Sequence, residues 1–214
     1  MMMLCGQSNQ IWHYWAGKYP GRVGYLFGPK HMSRQAIRPW MPFACDNDAF
    51  IAYTKGETWN ELAWFDMLER VKLTRIDPLW VLVPDVVADR AATLEAWERY
   101  SPVIDSYGWK KAFAVQDDMT PSDVPHETDV VFVGGSNSFK WRTIETWASH
   151  FPHVHVGRVN SLHRVWQCDD LGVKSVDGTA WFRDPSRKDR IPALQEWIDG
   201  HRRVETMELD FEQI

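Results

Sequence analysis

Cysteine is scarce: Cys5, Cys45 and Cys168 are the only three in 214 residues, odd in number and far apart, which excludes a disulfide framework and a thiolate zinc pattern and points to a reduced, cytoplasmic setting. Long apolar runs are missing too. None approaches the ~18 residues of a membrane helix, and the amino terminus MMMLCGQSNQIWHYW lacks the charged and apolar regions of a signal peptide, so no membrane partner is expected. Excess positive charge is absent, with 24 Lys and Arg against 29 Asp and Glu and a net charge of -5. Nucleic-acid binding through bulk positive charge is thereby excluded, although a local basic face is not. There is no HExxH and no Cys-His cluster. His150, His153, His155 and His163 are read as surface or loop histidines, and no metal or cofactor is expected. No repeat, low-complexity tract or linker divides the chain, so residues 1–214 are read as one domain; the oligomeric state stays open, with a monomer favoured.

Tryptophan is abundant, at thirteen residues. Most are expected in the core and some at a binding surface. The stretch DVVFVGGSNSF, Asp129 to Phe139, sets the pattern of the chain: a four-residue apolar run stops in a bare-backbone turn, Gly134-Gly135, and a helical segment follows from Lys140 to His150. The same layout recurs. Strands are predicted at Val23–Phe27, Pro42–Cys45, Leu79–Val83, Lys111–Val115, Val130–Val133, His153–Val156 and Val173–Val176, with Val204–Phe211 as an eighth strand or a tail. Helices are predicted over Thr58–Lys72, with Thr58 as a possible cap, over Asp89–Tyr107 with a break near Pro102, and over Ser161–Leu171 and residues 192–203. Residues 1–22 and 30–42 carry no regular period. Strand and helix alternating in this way imply a parallel sheet covered by helices. A compact closed (β/α)8 barrel of the TIM type fits best. The open doubly wound sheet is second, because GPKHMS after the first predicted strand is not a glycine-rich phosphate turn.

In such a barrel the carboxyl ends of the strands meet at one mouth. Asp46, Asp85, Gln116, Gly134-Gly135, Gly157 and Asp177 each follow a predicted strand. Paired carboxylates suit glycosidic chemistry, one moving a proton while the other attacks the anomeric carbon. A third beside an amide and backbone N–H groups suits a purine edge, which presents both donors and acceptors.

These residues resemble the motifs of the tRNA-guanine transglycosylase superfamily, in particular its small phage and bacterial branch that inserts 7-deazaguanine bases into DNA. The resemblance spans roughly residues 40 to 182. DNDAF resembles the family's DSGG(Y/F) motif, which implies an acid/base role for Asp46 and base stacking for Phe50. VPDV, VQD and VGG resemble its base-reading elements, implying Asp85, Gln116, Gly134 and Gly135 as purine contacts. Val156-Gly157 resembles the MG element lining the other face of the base. SVDGT implies Asp177 as the nucleophile. Two departures are plain: Asp48 and Ala49 stand where the family has glycines, and the zinc-binding insertion of the tRNA enzymes is missing.

The resemblance therefore implies exchange of guanine in duplex DNA for a base such as preQ0, in a bacterial or phage-infected cell, through a covalent aspartyl intermediate. Lys30, Arg34, Arg38, Arg158, His163, Arg164 and Arg183 are candidate phosphate contacts. Three alternatives stay open: a DNA glycosylase or other N-glycoside hydrolase on the same barrel, a non-catalytic nucleobase or nucleic-acid binder, and a metal-dependent phosphoesterase using the same aspartates.

Overall fold

The apolar runs form a ring of parallel strands in the structure, a computed structural model that describes residues 1–6, 10–32, 36–178, 181 and 190–200. In chain order the elements are β1 (Met2–Cys5), α1 (Gln10–Lys18), β2 (Val23–Phe27), α2 (Pro29–Met32), β3 (Phe43–Cys45), α3 (Ala49–Lys55), α4 (Glu61–Thr74), β4 (Val81–Leu82), α5 (Arg90–Tyr107), β5 (Lys111–Val115), β6 (Val130–Val133), α6 (Asn137–His150), β7 (Val154–Val156), α7 (Leu162–Asp170), β8 (Ser175–Asp177) and α8 (Arg190–Ile198). Each strand pairs in parallel with its neighbour in sequence, and β8 pairs with β1, Met2 opposite Ser175 and Leu4 opposite Asp177. That last pairing closes the sheet into the expected (β/α)8 barrel and rules out the open doubly wound alternative.

The count of strands starts earlier than the sequence suggests. Residues 1–22, expected to be irregular, hold β1 and α1, and the predicted first strand is the second. Methionine, leucine and cysteine in β1 carry little strand signal because none is β-branched or aromatic. Helix α1 does bury Trp12, Trp15 and Ala16, spaced three and four apart on one face. The barrel closes without Val204–Phe211, which lies outside the described residues.

Helix α5 runs unbroken through Pro102. The lost hydrogen bond and ring clash of an interior proline are outweighed by a buried face of Trp97, Tyr100, Ser101 and Ile104 and by a firm start, where the Asp89 side chain accepts from Ala92 N–H at 3.0 Å. Helix α4 is capped by Asn60, whose side chain accepts from Ala63 N–H at 2.9 Å, rather than by Thr58. Glu61 instead takes hydrogen bonds from Arg99 at 2.8 Å and Tyr100 Oη at 2.7 Å, tying α4 to α5.

Alternation along each strand sorts side chains into two cores. Leu4, Leu26, Ala44, Trp80, Leu82, Ala112, Ala114 and Val130, with Met2 and Phe132, fill the barrel. The alternate residues, Val131, Val133, Val154, Val156 and Val176 among them, join the larger layer between strands and helices. Small alanines on β3 and β5 leave room inside for Trp80 and Phe132. Nine tryptophans are buried, as expected for most of them, while Trp40 is exposed and Trp59 lines a pocket beside the mouth. No helix among the described residues is long and apolar enough to cross a membrane.

Candidate functional site

A cavity of about 520 Å³ opens at the carboxyl ends of the strands. Its size falls in the range of small-molecule sites. Among its lining residues are Asp46 after β3, Asp85 after β4, Gln116 after β5 and Asp177 at the end of β8. Four separate strand ends thus deliver their polar groups to one space.

The β3 end is built by a left-handed residue. Asp48 has φ 60°, which the resembling family fills with glycine and which aspartate tolerates better than most side chains. Its carboxylate accepts from Lys30 N–H at 2.9 Å and lies against Gly28, where any Cβ would collide with it. Asp48 thereby packs onto the neighbouring β2–α2 turn, with its own N–H donating to Asp46 Oδ1 at 3.1 Å. Burial raises the Asp48 carboxyl, opposed by the Lys30 N–H.

Asp46 is pushed up to about 8, first by burial and then by the charges of Asp48 and Asp177. A carboxyl in that range exchanges a proton near neutral pH, as a general acid or base must. Burial also raises Asp85, although its two oxygens accept from Asn47 Nδ2 and Gln116 Nε2, each at 2.7 Å.

Asn47 escaped sequence reasoning, which passed from Asp46 directly to Phe50. It is 1% exposed and uses both ends of its amide and its carbonyl: Nδ2 also donates to the Val83 carbonyl at 3.0 Å, Oδ1 accepts from Ala49 N–H at 2.8 Å, and its carbonyl accepts from Trp59 Nε1 at 2.8 Å. It fixes Asp85 and starts α3. Asn47→Ala is expected to cost about 1–3 kcal/mol, because Val83 O and Ala49 N–H lose a buried partner; denaturant unfolding of the two proteins measures it, and an unchanged midpoint contradicts it.

Gln116 sits at the cavity as expected but is occupied differently. Its Nε2 holds Asp85 and its Oε1 accepts from Ala88 N–H at 3.1 Å, so both ends of the amide serve the protein. Gly134 N–H is also spent, on the Val115 carbonyl at 3.3 Å within the strand ladder. Gly135 has φ 65° and its N–H has no partner among the described residues. Of the two glycines, it is the one that can offer an N–H to a ligand. A Cβ there would also press on Asp117 and Phe139.

Phe50 and Phe132 give the cavity its aromatic faces. The Arg158 guanidinium lies 4.1 Å from the centre of the Phe50 ring and donates to the Gly135 carbonyl. Burial lowers the Arg158 pKa, with Asp177 and Asp117 opposing. Lys30 and Arg158 line the cavity, whereas Arg38, His163 and Arg164 do not. Arg38 and His163 are exposed, and Arg164 stacks on Trp141 at 4.3 Å. Arg34 and Arg183 lie outside the described residues.

Val156 and Gly157 need correction. Val156 is fully buried and points into the helix layer, because the residue of β7 that faces the barrel is His155. Gly157 lies beneath Phe132, whose ring a Cβ there would meet at 2.9 Å. Phe132 therefore supplies the wall assigned to Val156. His155 is neither a surface nor a loop residue: it is 0% exposed, with Nε2 3.2 Å from Asp177 Oδ2. Asp177 Oδ2 also accepts from Arg158 N–H at 3.1 Å. Among the described residues no three His, Cys, Asp or Glu side chains gather as a metal site.

No protein-family model matches the sequence. No curated protein matches it significantly. Among solved structures the chain is similar to one from the tryptophan synthase complex of Pyrococcus furiosus, at 12% identity and a TM-score of 0.56, over 94% of this chain and 96% of that one. It is similar to 3-hexulose-6-phosphate synthase from Salmonella typhimurium, at 11% identity and 0.55, over 94% and 100%. A third is 3-keto-L-gulonate-6-phosphate decarboxylase from Vibrio cholerae, at 11% and 0.52, over 95% and 99%. These likenesses establish a shared barrel fold.

Proposed function

We propose that this chain is a base-exchanging transglycosylase that replaces guanine in DNA with a 7-deazaguanine base of the preQ0 type, in the cytoplasm of a bacterial or phage-infected cell. The observation that carries the reading is the meeting of Asp46, Asp85 and Asp177 at one cavity, with Asp46 raised to about 8 and Asp177 gripped by N–H donors. That the barrels it is similar to are named as synthases and a decarboxylase supports an enzyme more broadly.

The target nucleotide leaves the duplex and enters the cavity, as chemistry on a base requires. Asp177 forms a bond to C1′ while the C1′–N9 bond breaks, its electron pair going to the purine, which takes the proton carried by Asp46. The incoming base then gives its N9 proton to Asp46 and attacks C1′, and the ester electrons return to Asp177. Two inversions give retention. Asp85 and the Gly135 N–H read the purine edge, and Gln116 serves by holding Asp85. Stacking of a base on Phe50 requires Arg158 to leave the ring, and a DNA phosphate is the natural destination for that guanidinium.

Duplex DNA incubated with labelled preQ0 or guanine tests the reading. Label in the DNA is expected. Abasic product without label points to a glycosylase, and tight purine binding without turnover points to a binding protein; either outcome overturns the exchange reading.

A further inference from the structure

Below the mouth the barrel interior is apolar except at β7 and β8, where His155 and Ser175 lie beneath Asp177. The strand register places His155 beside Ser175. His155 Nδ1 lies 2.8 Å from Ser175 Oγ, and its ring is packed by Trp80 and Phe132, each with its centroid 4.8 Å away. A barrel interior gains nothing from a polar ring that leucine could replace, because burying polar atoms is costly unless they are bonded. The bonds here lead to one place, Asp177 Oδ2.

With Asp177 ionised, one tautomer satisfies both contacts: Ser175 Oγ–H donates to Nδ1, and Nε2–H donates to Asp177 Oδ2. The second donor, Arg158 N–H, reaches the same oxygen at 3.1 Å. Among the described residues, no partner touches Oδ1.

We propose that His155, backed by Ser175, is a positioning residue that selects Asp177 Oδ1 as the attacking atom and holds Oδ2 throughout the double displacement; the inference rests on the base-exchange reading. As Oδ1 bonds to C1′ and the C1′–N9 pair leaves with the purine, Oδ2 becomes the ester carbonyl oxygen. It keeps both N–H donors. When the incoming purine nitrogen displaces the ester, the C1′–Oδ1 pair returns to the carboxylate and the same donors stabilise the charge that reappears. Fixing the carboxylate rotamer also removes a search from each attack.

Steady-state exchange of labelled guanine into duplex DNA tests this with wild type, Asp177→Ala, His155→Leu, His155→Gln and Ser175→Ala, each checked for folding by circular dichroism. Loss of one preorganised donor predicts a fall in kcat of about 10²–10³-fold in His155→Leu, with KM for DNA and base nearly unchanged. His155→Gln, which can present an amide N–H to Oδ2, is expected to recover at least about tenfold over the leucine variant. Ser175→Ala, which removes one hydroxyl and serves if His155→Leu does not fold, is expected to lose about tenfold. Wild-type kcat in a folded His155→Leu or in Ser175→Ala, a loss confined to KM, or no advantage of glutamine over leucine overturns the assignment while wild-type exchange stands. A wild type that exchanges nothing overturns the base-exchange reading itself, and His155 loses its role with it.

Discussion

Asp177→Ala should reduce base exchange by at least about 10⁴-fold, the scale on which removal of a nucleophile acts, while leaving purine binding largely intact. Among the described residues, no other carboxylate of the cavity can take over the attack. Asp46 holds a proton over much of the neutral range, because burial and the charges of Asp48 and Asp177 raise it to about 8. Asp85 is held on both oxygens by Asn47 and Gln116. Asp48 is turned onto Lys30 N–H and Gly28. Asp177→Asn is expected to fail as completely, since an amide of the same shape can still face His155 but is a poor nucleophile at C1′. Incorporation of labelled preQ0 measures the loss, and mass spectrometry of enzyme quenched during turnover should find a DNA-linked species in wild type alone. Full incorporation by the alanine variant would remove Asp177 from the reaction.

The barrel was legible because its parallel strands, buried on both sides, read as short apolar runs ended by Gly, Pro, Asp or Gln. VGYLF, KAFAV and DVVFV announce themselves in this way, and the polar residue at each end marks the mouth. β1 did not, since MMLC has no β-branched residue and no turn signal before it. Parity was the harder matter. On three-residue β7, the resemblance of Val156-Gly157 to the MG element implied Val156 as a wall, yet alternation puts His155 inside and Val156 outside. Ser175-Val176-Asp177 carried the clue: two polar residues two apart on the neighbouring strand face the same way and need a polar partner across the register. Gln116 was legible as a cavity residue, but its choice of Asp85 and Ala88 depends on a different strand's loop, which no local pattern reveals. Asn47 looked like a spacer within DNDAF because its partners, the Val83 carbonyl, Ala49 N–H, Trp59 Nε1 and Asp85, are fixed by the fold rather than by the motif.

Asp46→Asn is the second large effect, acting on rate and on stability with separate pH signatures. As the acid that protonates the departing guanine, Asp46 is worth about 10²–10⁴-fold in rate; wild-type exchange should decline as pH rises through about 8, where the carboxyl loses its proton. The asparagine variant, with no proton to lose, should run at its low rate without that decline. For stability, the raised value means that the native state holds a proton which the unfolded chain, near its ordinary 3.8, has released. Between those two values the native state binds more protons than the unfolded state, so the contribution of this group is fully present below about pH 4 and falls as pH rises toward about 8, by at most about 1.4 kcal/mol per pH unit. Asp46 keeps some solvent contact, which screens the effect and leaves a loss on the order of a few kcal/mol across the window. Asparagine has no such linkage: relative to wild type, Asp46→Asn should gain stability steadily from about pH 4 to about pH 8. Denaturant melts of both proteins across that window read the difference directly. A gap that stays constant with pH would show Asp46 ionising like an exposed carboxylate, and the acid of the proposed reaction would then have to be sought elsewhere in the cavity.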